Sequence, residues 1–72
     1  MGNHAEAGLS LQKAVELDPS SVGAHDAFGI WYEAVHNPQG AEREYRASLA
    51  LDQNDQAAQA GIARVQRVAM QQ

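Results

Sequence analysis

The chain is predicted to be all-α, with four short helices arranged as antiparallel helix-turn-helix repeats. Three observations predict this. Small and apolar residues recur at spacings of three and four, which writes one stripe along each helix. Breaks at Asp18-Pro19 and His36-Asn37-Pro38 cut the chain into helix-length pieces. Sliding the sequence by 34 residues lays Ala7 on Ala41, Leu11 on Tyr45, Ala14 on Ser48, Leu17 on Leu51 and Asp18 on Asp52. The same shift lays Ala24 on Ala58, Phe28 on Ile62 and Gly29 on Ala63, so both helices of a pair recur with side-chain size roughly kept.

Each element has its own signals. Asn3 followed by Glu6 resembles a capping box, and Ala7, Leu11, Ala14 and Val15 make the stripe of the first helix. Pro19 ends it, because proline disfavours helical geometry in the residue before it and cannot donate to the ladder. Ser20 or Ser21 caps the second helix, which carries Val22, His25, Phe28, Gly29 and Tyr32 on one side and runs to about Ala34. Asn37 caps the third, with Pro38 at its first position, where a missing N–H costs nothing. His36 or Asn37 is expected to take a left-handed conformation in the turn. The third helix packs through Ala41, Tyr45, Ser48 and Leu49 and fades near Leu51-Asp52. Asn54 or Asp55 caps the fourth, whose stripe is Ala58, Ile62, Val65 and Ala69 and whose end frays at Met70-Gln71-Gln72.

Composition sets limits. Seventy-two residues make one small domain, and the 44% apolar content is largely alanine, so the core is thin. With no cysteine there is neither a disulfide framework nor a thiolate metal site, and either redox compartment suits the chain, cytoplasm or bacterial periplasm. Residues 1–6 lack the basic and apolar regions of a signal peptide, and no stretch reaches the length of a membrane span. A myristoylation-like start at Met1-Gly2 is undercut by Glu6, where Ser or Thr is wanted. A net charge of −4 with five basic residues argues against nucleic acid, whose binding rests on clustered Lys and Arg.

The strings His25-x-x-Phe28-Gly29-x-x-Tyr32, Ala41-x-x-x-Tyr45-x-x-Ser48 and Leu51-Asp52 resemble the tetratricopeptide (TPR) repeat. The resemblance implies a fragment of a right-handed superhelix, with Ala7, Leu11, Ala14, Phe28, Gly29, Tyr32, Ala41, Tyr45, Ser48 and Leu51 as its repeat-defining core. Its phase is uneven. Residues 3–19 match the second helix of one repeat, 20–53 a complete repeat, and 54–72 the first or capping helix of the next. Three residues depart from the pattern: His25 replaces the usual Trp, His36 stands where the turn has Gly, and Gln53 replaces the closing Pro. Asp18-Pro19-Ser20-Ser21 with Ala24-His25, and Glu44-Tyr45-Arg46 with Leu49-Ala50 and Asp52, are more narrowly similar to bacterial TPR lipoproteins of type IV pilus assembly, the pilotins that help an outer-membrane secretin assemble.

The TPR resemblance implies a non-catalytic protein-protein interaction scaffold. First helices of successive TPR units line a concave groove, which makes Asp26, Ile30, Glu33, Ala57, Ala60, Arg64 and Arg67 the candidate peptide-binding residues. One wall reads acidic and the other basic, around an apolar contact at Ile30; two ordinary solvated faces read the same way. The carboxylate clamp that some TPR domains use on acidic tails is disfavoured, because Asp26, Ile30 and Gly61 stand in its places. Trp31 is a candidate contact for self-association, or else packs sideways onto the first helix. Two half-units without partners predict a homo-oligomer.

Catalysis, cofactors and metals are not expected. Ser21 and His25 share a helix face, but Asp26 points about 100° away from its neighbour His25, so it cannot orient the ring as a triad requires. His4, His25 and His36 have no metal-ligand spacing.

Overall fold

The computed structural model describes residues 3–71 and contains four helices: α1 (His4–Leu17), α2 (Val22–Ala34), α3 (Pro38–Leu51) and α4 (Gln56–Met70). They form an all-α, TPR-like helical repeat fragment about 16 Å thick and 32 Å wide. Three of the helices start on side-chain caps. Asn3 accepts from the Glu6 N–H at 3.2 Å, Ser21 from Ala24 at 3.1 Å, and Asn37 from Gly40 at 3.0 Å. Asp55 occupies the cap position of α4 but makes no such bond. In the turn after α2, His36 is the residue that turns left-handed, with φ 61°.

The chain packs in sequence order, α1 on α2, α2 on α3 and α3 on α4, with α4 also returning to touch α2. α3 therefore lies between two helices, and Ala41, Tyr45 and Ser48 on its covered face are completely buried, joined by Ala58 and Val65 of α4. Phe28 and Gly29 are buried on α2, and Tyr32 is half-buried. α1 has one neighbour, and its stripe shows the consequence: Leu11 and Ala14 are half-buried, while Ala7, expected in the core, is exposed. Leu51, expected in the core as well, is 44% exposed, because it falls in the last turn of α3, beyond the stretch that α2 and α4 cover.

Close packing depends on rings lying flat on glycines. The Tyr45 ring is held between Gly29 and Gly61, Tyr32 lies on Gly40, and Trp31 lies on Gly8. A Cβ at Gly29 would come within 2.7 Å of Tyr45 and one at Gly40 within 2.6 Å of Tyr32, both inside contact distance. Phe28, Trp31 and Tyr32 complete a ring cluster on α2, with Phe28 stacked on Tyr32 at 4.6 Å between centroids.

Candidate interaction surfaces

The residues expected to line a groove lie on α2 (Asp26, Ile30, Glu33) and on α4 (Ala57, Ala60, Arg64, Arg67), and the charges of Glu33 and Arg64 do not stand open. Arg64 of α4 donates from Nε to Glu33 Oε1 at 3.1 Å and from Nη2 to Oε2 at 2.9 Å, a two-pronged bond joining the two walls. The Tyr45 hydroxyl donates to the same carboxylate from below. The Arg64 hydrogen bond holds the Glu33 carboxyl below its usual range, against burial and with help from Tyr45. Burial, then Glu33, push the Tyr45 phenol up, and Glu33 pushes the Arg64 guanidinium up. Acidic and basic walls facing a ligand are thus replaced at Glu33 and Arg64 by one ion pair across the groove. The physical reason is reach: α2 and α4 touch, so long side chains of opposite charge close on each other first.

Asp26, at the other end of the acidic wall, is half-buried and turned toward Asp55 at the start of α4. Asp26 Oδ1 and Asp55 Oδ2 are both shielded from solvent without a hydrogen-bond donor. Burial, and then the Asp55 carboxyl, hold the Asp26 pKa at about 6, against smaller opposing effects of Ser48 and His25. Of the other residues expected to line the groove, Ile30 is 56% exposed, and Ala57, Ala60 and Arg67 are also exposed.

His25 is buried and joins three segments. Nε2–H donates to the Pro19 carbonyl at 2.8 Å, and Nδ1 lies 2.9 Å from Glu44 Oε1, to which it donates when the ring is protonated, so loop, α2 and α3 meet at one imidazole. Burial pulls its pKa down, but Glu44, the Pro19 carbonyl and the Asp26 charge together outweigh this and hold it above the ordinary value. Nothing in the local sequence pairs His25 with Glu44, nineteen residues away, and only the close approach of α2 and α3 does so. Ser21 is a cap, and the third triad partner, Asp26, faces α4.

Trp31 packs onto α1: its ring covers Gly8, and its indole N–H donates to the His4 carbonyl at 2.7 Å. Of the two readings of this residue, sideways packing on the first helix is the contact present. Trp31 also floors a shallow cleft between α1 and α2, lined in addition by Ala5, Gly8, Leu9, Gln12, Phe28 and Tyr32. Gly29 was expected on the packing face of α2, whereas the ring contacts at Gly8, Gly40 and Gly61 were not anticipated from the sequence. Among the described residues no group of three or more potential metal ligands occurs, and no helix is long and apolar enough to cross a membrane.

No protein-family model matches the chain. It is 43% identical over 51 residues to the type IV pilus assembly protein PilF of Pseudomonas aeruginosa, covering 71% of this chain and 20% of that protein. It is 36% identical over 61 residues to a TPR repeat-containing protein of Dictyostelium discoideum, covering 75% of this chain and 23% of that one. A protein O-mannosyl-transferase of Caenorhabditis elegans is 38% identical over 50 residues, but the match covers 7% of its length. The chain thus spans less than a quarter of the curated relatives it matches. The likeness to TPR proteins read from the sequence, pilus assembly included, stands on the first two of these relatives together with the fold.

Proposed function

We propose that this TPR-like chain is a non-catalytic protein-interaction scaffold, a stretch of a larger solenoid, and that it self-associates. In this reading residues 3–19 are the second helix of one repeat, 20–53 a complete repeat, and 54–72 the first or capping helix of the next. One observation supports it above the others. Ala41, Tyr45 and Ser48 are fully covered between two helices, whereas of their equivalents Leu11 and Ala14 are half-buried and Ala7 is exposed. A repeat face left half-covered gains by meeting a neighbour, because each unit in a solenoid is stabilised by the interface to the next. The non-catalytic part rests on Ser21, His25 and Asp26, each held in a structural contact. A place in bacterial pilus or secretion assembly rests on the resemblance to the Pseudomonas aeruginosa protein. Sedimentation equilibrium of the 72-residue chain across the micromolar range tests the self-association. A mass that rises with concentration is the expected result, and a monomer throughout, with cooperative unfolding, overturns it.

A second reading, that a peptide lies across α2 and α4, is favoured by the exposed Ile30 of α2 and the exposed Ala57, Ala60 and Arg67 of α4. Replacing Ile30 by Asp then abolishes binding of apolar-anchored peptides, read by fluorescence anisotropy, with helicity intact; unchanged affinity removes this reading.

A further inference from the structure

The most exposed large apolar side chains other than Met70 at the end of α4 are Leu17 and Leu9 of α1, and Leu9 cannot be explained by an absent neighbour. The 34-residue register lays Leu9 on Arg43 of the complete repeat. Arg43 lies on α3, which has a helix on each side, and its side chain is still 70% exposed; Leu9 is 68% exposed. The position faces outward even where the packing is complete. An arginine suits such a place, and a leucine there does not, unless something covers it.

The surroundings of Leu9 say what that is. Leu9 stands at the rim of the cleft floored by Phe28, Trp31 and Tyr32, whose volume is about 190 Å³, room for one large aliphatic side chain. Glu6 and Lys13 flank Leu9 on the same helix face, three residues before and four after. Both are exposed, and neither takes part in an ion pair among the described residues. At a rise of 1.5 Å per residue they lie about 4.5 and 6 Å from Leu9 along the axis, on opposite sides. Such a face is self-complementary when turned upside down. Two copies of α1 laid antiparallel about Leu9 bring Glu6 of each beside Lys13 of the other.

We propose that α1 is the self-association surface: a second copy of this chain docks antiparallel on it about a twofold axis near Leu9, each Leu9 entering the other copy's cleft, with two Glu6–Lys13 pairs fixing the register. The arrangement is isologous and closes as a dimer, unlike end-to-end stacking of repeats, which runs on. It rests on the self-association proposed above and names the face responsible. Trp31 then contributes as the floor of the receiving cleft while holding α1 in place.

The test is the dimer dissociation constant of the full chain by sedimentation equilibrium, for the wild type, Leu9→Asp, Lys13→Glu and the exchange Glu6→Lys with Lys13→Glu. All the changed positions are exposed, and far-UV circular dichroism checks that helicity is kept. Leu9→Asp and Lys13→Glu are each expected to weaken the dimer about tenfold or more, and the exchange to recover most of that loss. A dimer indifferent to Leu9→Asp and to the charge changes overturns the α1 surface while leaving self-association standing. An open ladder of oligomers also overturns it, in favour of end-to-end stacking. A wild type that stays monomeric overturns both.

Discussion

Asp26 and His25 are adjacent in sequence and face different helices, yet both retain protons longer than such residues do in an unfolded chain. The Asp26 carboxyl is raised from 3.8 to about 6, so the folded state binds its proton more tightly than the unfolded state. Its contribution to stability is fully present below pH 3.8 and is lost as pH rises through about 6, where Asp26 and Asp55 meet as two charges. His25 acts in the same sense over a higher range: its contribution is present below its ordinary pKa of 6.5 and lost as pH rises through its raised folded value. Glu33 opposes them in acid, since its lowered pKa adds stability above 4.5 that disappears as pH falls through the folded value. Asp26→Asn is therefore expected to stabilise the chain at pH 7 by about 1–2 kcal/mol and to change nothing below about pH 4. Urea midpoints at the two pH values check it, and equal midpoints for both proteins at pH 7 refute it.

At the level of helices, the joints are made of rings set on glycines and of one strained turn. Tyr45 carries most of this load, because Gly29 of α2 and Gly61 of α4 both lie against its ring and its hydroxyl reaches Glu33. Gly61→Ala removes one seat, and the added methyl has no room while Tyr45 stays where it is. The loss is expected to be about 1–3 kcal/mol even though alanine is the better helix former. His36→Gly has the opposite sign. At φ 61° a histidine is strained and a glycine is not, so the change gains up to about 1 kcal/mol. Thermal unfolding of the two variants, one lower and one higher than the wild type, is the check. A Gly61→Ala protein as stable as the wild type means that the Tyr45 ring shifts freely and that Gly61 is not a fixed seat for it.

For the molecule as a whole, α3 is the centre and α1 the edge. α1 touches α2 alone, and its attachment there leans on the Trp31 ring over Gly8 and the bond to the His4 carbonyl. A partner that binds the folded form raises its stability by mass action, so the self-association proposed here makes the melting temperature rise with protein concentration. Helix boundaries, three of the four caps and the 34-residue repeat were legible in the sequence, since each depends on residues a turn or less apart or on a pattern that recurs. So were the buried positions of the complete repeat: Phe28, Gly29, Ala41, Tyr45 and Ser48. Asp55 stands at the cap position of α4 but makes no cap bond; Glu33 and Arg64 looked like two walls and are one pair; Ala7 and Leu51 matched the repeat and stay outside. Local sequence determined which residues form helices and which face of each is apolar, because periodicity and capping act within a few residues. Tertiary structure alone decided which charges meet and which apolar faces stay uncovered, because that depends on how near two helices approach and on how many neighbours each one has.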